Sequence, residues 1–248
     1  NVLGTVQDVE AIGKICQEFG LLFVLDTCQS AGVLPIDMEA MGIDVLTFTG
    51  HKGLFGPMGI GGMVVAENLD IPPMRVGGTG VDSITEFQPD MYPNRLEAGT
   101  VNFPGIVGLN AGQKWFADLG RDSLDTTNPD VSHNLLCRAA MEHIESVELG
   151  ATKKMIDAFV AMDGVELYGP IGDQPRVSTF AINIGDLPAD QVGVSLDADF
   201  HVCVRAGLHC APLAHVDSDT IVRNGSVRFS PGYFNNDDDV NHAIEAVG

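Results

Sequence analysis

Two charged side chains stand where buried strands are predicted to end, and their types suit catalysis. Asp26 follows the apolar run 21–25, and Lys52 closely follows a second apolar run, 45–48. Alternating helices and apolar strands favour a mostly parallel α/β sheet. In such sheets, chemistry is found just beyond the strand ends. We therefore expect Asp26 and Lys52 to converge at one sheet edge, where a desolvated lysine is costly unless its charge is used or paired.

Asp26 and Gln29 together suit the binding of a pyridine ring. A carboxylate can keep the ring nitrogen protonated, while an amide can hydrogen-bond the ring oxygen. A nucleotide-binding P-loop is excluded, because the nearby glycines follow Lys52 and no Gly-Lys-Ser/Thr sequence occurs. Taken alone, Lys52 would equally fit a surface lysine at a strand-to-loop turn. Its combination with Asp26 and Gln29 is what favours a binding site for a pyridine ring.

The composition narrows the classes of function. The chain has 248 residues, 45% of them hydrophobic, and its 13 Lys+Arg against 34 Asp+Glu give a net charge of −21. That charge would repel nucleic acids and anionic membranes, and no apolar run approaches the roughly 18 residues of a membrane helix. The 5 cysteines include no CxxC pair, which favours reduced thiols in a cytoplasmic protein.

Apolar periodicity predicts the elements that position these residues. In the first part we expect helix 8–18, strand 21–25, helix 38–41, strand 45–48, strand 63–66, a long loop over 67–105 and helix 106–119. In the second part we expect a helical region over 132–162 broken near Gly150, strand 177–184, helix 190–196, strands 201–205 and 226–230, and a helix from Asn236. The loop is long enough to suggest a functional role.

Several segments, in a fixed order along the chain, resemble one enzyme family. They read LDTCQSAG (25–32), PID (35–37), TGHKGLFGP (49–57), GGTG (77–80), RLEAGT (95–100), RAGLHCAP (205–212) and VRFS (227–230). This set resembles the class V aminotransferase family of pyridoxal-phosphate enzymes, and within it the cysteine desulfurases and selenocysteine lyases. The resemblance covers nearly the whole chain.

The resemblance implies the α/β fold of fold type I pyridoxal-phosphate enzymes. Residues 1–120 would form the C-terminal part of the large, mostly parallel cofactor domain, here incomplete. A polar connector would span 121–130, and a smaller α+β domain would span 131–248. The chain begins with Asn1 and not Met, and it resembles an N-terminally truncated member that lacks the family's ring-stacking histidine. We therefore expect the full protein to be the enzyme and this chain alone to bind cofactor weakly or not at all.

The resemblance also assigns the cofactor contacts. Lys52 would form the Schiff base with pyridoxal 5′-phosphate and remove the substrate proton. Asp26 would pair with the pyridinium nitrogen and Gln29 would hydrogen-bond the ring oxygen. Thr49 and His51 would hold the phosphate.

Further matches concern the substrate and a second subunit. Gly78 and Thr79 resemble the loop that reaches the cofactor phosphate of a neighbouring subunit, which implies a homodimer with shared active sites. Arg228 would grip the substrate carboxylate, for which a guanidinium fork is well suited. Arg205 would support it, and Asn1 matches an asparagine near the substrate.

Cys210 is the expected nucleophile of the distinctive step. It would take sulfur from L-cysteine as a persulfide, leave L-alanine and pass the sulfur to an acceptor protein that serves iron–sulfur cluster or thiolated cofactor assembly. The commoner fate of a lone cysteine is to pack as a small apolar residue, and for His209 an ordinary polar neighbour is equally plausible. Selenocysteine lyase, another C–S lyase, or an inactive chain that only pairs with a partner are the alternatives.

A rival interpretation is a zinc site. Its candidate ligands are His201, Cys203, His209, Cys210 and His215. Their spacings match no standard zinc motif, and strand alternation would separate His201 and Cys203 from Cys210. We therefore expect no metal.

Overall fold

The structure, a computed structural model, describes residues 1–82, 84–172 and 174–248. Its chain separates into a first unit, Asp8–Arg138, and a second unit, which combines Asn1–Gln7 with Ala139–Gly248. This division differs from the predicted one, in which a connector over 121–130 separates the domains. The boundary lies inside one continuous helix, and the assignment of the parts to cofactor and small domains stays a prediction.

The first seven residues belong to the second unit because they pair with its backbone. Thr5 forms an isolated antiparallel bridge with Arg176, and the N–H of Val177 donates to the carbonyl of Gly4 at 2.9 Å. Such pairing between distant parts of the chain leaves no local sequence signal.

The first unit contains a three-stranded sheet. Its elements are α1 Val9–Phe19, β1 Val24–Asp26, β2 Val45–Thr49, β3 Gly61–Val65, a 3₁₀ turn Asn94–Leu96 and α2 Phe103–Ser123. The strand order is β1-β2-β3, with β1 parallel and β3 antiparallel to β2. Asp8 caps α1 through its side chain, and Gly20 ends it in the left-handed region.

The predicted helix over 38–41 is wrong, since residues 38–42 form turns. The side chain of Asp37 accepts from the N–H of Ala40, which is the bond of a helix N-cap, but Gly42, with φ 65°, ends the segment after one turn. A segment of four residues also gains too little from one turn of hydrogen bonds to offset the cost of nucleation.

The second unit contains a four-stranded antiparallel sheet covered by helices. Its elements are β4 Val165–Tyr168, β5 Phe180–Ile184, α4 Ala189–Ala198, β6 Arg205–Gly207, α5 Pro212–Asp217, a 3₁₀ turn Ile221–Arg223, β7 Ser226–Phe229 and α6 Asp237–Val247. Helix α3, His133–Val160, begins in the first unit and continues into this one. The strand order is β4-β5-β7-β6.

Aromatic packing forms the centre of the second unit. Phe159, Phe180 and Phe229 are almost fully buried, with ring centroids 5.2–5.9 Å apart. Helix α3 runs through Gly150 without interruption, so the predicted break there is wrong. None of the helices in the described part of the chain is long and apolar enough to cross a membrane.

Candidate active site

The ends of β1 and β2 bring Asp26 and Lys52 to one edge of the first unit's sheet. Because these strands are parallel neighbours, their C-terminal ends face the same way. Asp26 is the last residue of β1, and Lys52 follows Thr49, the last residue of β2. Hydrogen bonds from Cys28, and to a smaller extent the charge of Lys52, lower the pKa of Asp26. Its carboxylate therefore stays ionised.

Close backbone approach holds the turns after these two strands together. A Cβ placed on Gly32 would lie 2.3 Å from the carbonyl oxygen of Gly53, and one on Gly53 would lie 2.6 Å from that of Ala31. Gly32 also has φ +79°, which favours glycine. A side chain at either glycine would force the turns apart, so these residues fix the spacing between Asp26 and Lys52.

Hydroxyl and imidazole groups extend this edge. Thr49 Oγ1 lies 2.8 Å from His51 Nδ1, and His51 and Gln29 are exposed. Cys28 does not add a nucleophile, because its hydrogen bond to Asp26 raises the pKa of the Cys28 thiol. The cluster of an ionised carboxylate, an amine and hydrogen-bonding groups can bind a protonated heteroaromatic ring and an anion.

Gly78 and Thr79 lie in the irregular segment between β3 and α2. The carbonyl of Gly78 accepts from the N–H of Gly99 at 2.9 Å, and open space surrounds the position of a Cβ on Gly78. In the described residues, no hydrogen bond joins this pair to Asp26 or Lys52. The structure thus presents Gly78 at the surface of the first unit.

Arg95 anchors the same segment. Its guanidinium forms an ion pair with Asp70 at 2.9 Å and donates from Nε to the carbonyl of Ile71 at 2.8 Å. These contacts stay within the segment, so Arg95 has a structural role.

The second unit brings two arginines together. Arg205 and Arg228 are directly opposed on the antiparallel strands β6 and β7. Nη1 of Arg228 donates to the carbonyl and the side-chain oxygen of Asn1, at 2.9 and 3.0 Å. Its Nε is buried, and no described residue forms a hydrogen bond with it. Burial, followed by the charge of Arg205, lowers the pKa of Arg228. An anion beside the two guanidinium groups would relieve their repulsion, so the pair suits a carboxylate.

Cys210 is exposed on the turn that follows β6. The thiolate form of Cys210 would raise the pKa of Arg228, in opposition to burial. Asn1 Nδ2 donates to the carbonyl of His209 at 2.6 Å. Through Asn1, the turn that carries the thiol is linked to Arg228.

Sequence reasoning missed a buried chain of side chains behind this turn. His209 Nε2 lies 3.0 Å from the carbonyl of Arg205, and His209 Nδ1 lies 3.2 Å from His215 Nε2. His215 Nδ1 lies 2.7 Å from Thr220 Oγ1. The sequence indicates His215 only as a zinc candidate, and it gives no signal for Thr220 because the role of Thr220 depends on a contact made after folding.

The chain of contacts has one direction when both histidines are neutral. A carbonyl can only accept, so His209 Nε2 carries the proton and Nδ1 accepts from His215 Nε2. His215 Nδ1 then accepts from the hydroxyl of Thr220. Burial is the first cause that lowers the pKa of each histidine, which favours these neutral forms.

We expect NMR to find both rings in the Nε2–H form. Two-dimensional ¹H–¹⁵N spectra, assigned with His209→Gln and His215→Gln, should show two neutral Nε2–H tautomers. Because the pKa of each ring is lowered, the neutral signals should persist as the pH falls through the ordinary histidine value of about 6.5. An Nδ1–H tautomer at either ring would contradict the assigned direction.

The zinc candidates divide between separate places in the second unit. His201 and Cys203 line a cavity with His242, whereas His209 and His215 form the buried chain. Among the residues that the structure describes, no group of three or more potential ligands has the geometry of a metal site.

One family model and several known proteins match this chain over most of its length. The family model for class V aminotransferases matches residues 1–139 and 131–242. A probable cysteine desulfurase from Methanothermobacter thermautotrophicus is 31% identical over 244 residues, which cover 97% of this chain and 56% of the relative. A cysteine desulfurase from Escherichia coli is 32% identical over 216 residues, covering 85% of this chain and 47% of the relative.

Solved structures show the same similarity. The apo cysteine desulfurase from Thermococcus onnurineus NA1 matches with a TM-score of 0.82 and 29% identity, covering 99% of this chain and 56% of that one. The cysteine desulfurase CsdA from Escherichia coli matches with a TM-score of 0.80 and 26% identity, covering 99% and 55%. The chain thus spans about half the length of the relatives it matches.

Proposed function

Because this chain belongs to the class V aminotransferase family, whose members use pyridoxal 5′-phosphate, we propose that it is part of a cysteine desulfurase. That enzyme converts L-cysteine to L-alanine. One observation carries the proposal: the exposed thiol of Cys210 follows His209, whose carbonyl is joined through Asn1 to the guanidinium of Arg228. A nucleophile next to a carboxylate-binding group is what removal of sulfur from an amino acid requires.

The residues at the edge of the first unit's sheet fit the cofactor. A protonated pyridine nitrogen needs an ionised carboxylate, and the lowered pKa of Asp26 supplies one. Lys52 would carry the cofactor on Nζ, Gln29 would contact the ring oxygen, and Thr49 with His51 would hold the phosphate. When bound, the cofactor supplies an electron sink for bond cleavage at the substrate carbons.

The side chains of this chain account for the other parts of the reaction. Lys52 Nζ takes the proton from the substrate α-carbon and returns it during formation of alanine. The Cys210 thiolate attacks the substrate sulfur, so an S–S bond forms while the Cβ–S bond breaks and its electron pair stays with carbon. The carbon is reduced and protonated, the sulfur is oxidised, and the products are L-alanine and a Cys210 persulfide.

The two arginines hold the substrate carboxylate in this proposal. Arg228→Lys should raise KM about 10- to 100-fold with a smaller effect on kcat, because a charge-assisted bond is worth about 1.5–3 kcal/mol and lysine lacks the guanidinium fork. Steady-state kinetics with L-cysteine measures both constants. Arg223→Lys is the control, since Arg223 pairs with Glu166 in the same unit. An unchanged KM in Arg228→Lys would contradict the role.

The function implies a homodimer. In it, the irregular segment between β3 and α2, which contains Gly78 and Thr79, would reach the cofactor phosphate of the partner subunit. The surrounding segment exposes large apolar side chains, which is typical of an interaction surface. They are Met74, Val76, Ile84, Phe87 and Met91.

The persulfide requires a sulfur-acceptor protein, which would serve iron–sulfur cluster assembly. All five cysteines are unpaired, which supports a cytoplasmic location.

The function is tested by product analysis. The whole protein that contains this chain, supplied with pyridoxal phosphate, L-cysteine and a reductant, should form alanine and sulfide in equal amounts. Pyruvate and ammonia in place of alanine would identify a different C–S lyase. A strong preference for L-selenocysteine would favour the lyase alternative, and the absence of any product would reject the proposal.

A further inference from the structure

The turn that carries Cys210 has an unfavourable backbone conformation. His209 has φ 51° and Cys210 has φ 59°, so two consecutive residues with a Cβ lie in the left-handed region. Residues other than glycine rarely adopt this conformation unless their surroundings enforce it. The turn has only one backbone hydrogen bond of its own, from the N–H of Ala211 to the carbonyl of Leu208 at 2.8 Å.

Buried side chains enforce this conformation. His209 is 4% exposed, and His215 and Thr220 are each 1% exposed. Their directed chain runs from the Thr220 hydroxyl through both rings to the carbonyl of Arg205 on β6. The His209 ring is thereby fixed at both nitrogens, and the backbone that leads into Cys210 cannot rotate without breaking one of these bonds.

The same turn is attached to the arginine pair from its other side. Asn1 donates to the carbonyl of His209 and accepts from Arg228. The position of Cys210 relative to Arg228 therefore depends on His209, which is bonded through its side chain on one side and through its carbonyl on the other.

We propose that Thr220, His215 and His209 form a positioning relay that fixes the thiol of Cys210 relative to Arg228. The relay rests on the proposed function only for the chemical use of the thiol, and its geometry does not involve the cofactor. In the alternative, a purely structural network, the same bonds would stabilise the unit without determining where the thiol lies.

The test compares two alkylating reagents, iodoacetate and iodoacetamide, on the protein as purified. The thiolate attacks the iodine-bearing carbon of either reagent and displaces iodide. The ratio of the two rates at one cysteine therefore does not depend on the fraction of that cysteine that is ionised. A nearby guanidinium favours the anionic reagent. Cys203, exposed in the same unit and 3.9 Å from Asp197, is the internal reference. We define the iodoacetate preference of a cysteine as its rate with iodoacetate divided by its rate with iodoacetamide. We expect this preference to be about fivefold higher at Cys210 than at Cys203, as for a charge pair a few ångströms apart at the surface.

Thr220→Val removes the hydroxyl at nearly constant volume. Its iodoacetate preference at Cys210 should fall about fivefold, to the level of Cys203, while Cys203 itself is unchanged. Thr220→Ser, which retains the hydroxyl, should restore the preference. His215→Phe keeps a ring but removes both nitrogens, and it should reproduce the loss if Thr220→Val folds poorly.

A wild-type ratio at Cys210 in both Thr220→Val and His215→Phe would overturn the relay. An equal change at Cys203 would also overturn it, because that result indicates general loosening of the unit. The readout uses neither cofactor nor substrate, so failure of the relay and failure of the desulfurase proposal are separate results.

Discussion

Lys52→Ala is expected to lower formation of both alanine and sulfide from L-cysteine about 10³-fold or more. Lys52 is the amine at the strand edge beside the ionised Asp26, and the variant loses both the attachment of the cofactor and the group that moves the substrate proton. Proton transfer by a positioned side chain alone contributes about 10²–10⁴-fold. Product formation and the absorbance of the bound cofactor measure the two losses separately.

Lys14→Ala is the matched control for Lys52, since Lys14 is an exposed lysine of the same unit, on α1. It should retain full activity. Activity of Lys52→Ala within a fewfold of the wild type would show that another residue carries the cofactor, and the role of the β1 and β2 strand ends would have to be abandoned.

Cys210→Ala is expected to lower sulfide release about 100-fold or more, because a catalytic nucleophile has few substitutes. The cofactor should still bind, since its proposed contacts all lie in the first unit. Sulfide assay and cofactor absorbance check the two statements. Cys203→Ala, the other exposed cysteine of the second unit, should behave as wild type. Equal sulfide release by Cys210→Ala would mean that sulfur leaves without passing through this thiol.

The family and the α/β fold are confirmed, and the reason is that their signals are local. Apolar runs followed at once by Asp26 or closely by Lys52 predict where β1 and β2 end, although the strand bounds shift by up to three residues. The motifs around these strand ends keep their order along the chain, and together they identify the family more reliably than any single spacing.

The errors concern features that depend on tertiary packing. Gly150 predicted a helix break, but an exposed glycine costs a helix only about 1 kcal/mol relative to alanine, less than the packing of Phe159 contributes. The strand predicted over 201–205 lies instead at Arg205–Gly207, where it pairs with β7. The strand Val165–Tyr168 and the helix Pro212–Asp217 were not predicted, because each is too short to produce a clear period.

The substrate side of the site shows the same limit. The sequence indicated Arg205, Arg228 and Cys210 through motifs, but nothing local linked them to His215 or Thr220. Those contacts arise because the segment after α5 folds back onto His215 and seals both side chains from solvent. A buried hydrogen-bonded chain is therefore visible only once the fold is known.

The central claim is that Cys210 accepts sulfur from L-cysteine in a reaction that depends on pyridoxal phosphate. The most direct measurement is mass spectrometry of the whole protein that contains this chain, after brief exposure to L-cysteine, with thiols and persulfides trapped by alkylation. We predict one additional sulfur atom on the peptide that contains Cys210, only when pyridoxal phosphate is present. Alanine formation with no additional sulfur on Cys210, or with the sulfur on another cysteine, would contradict the account.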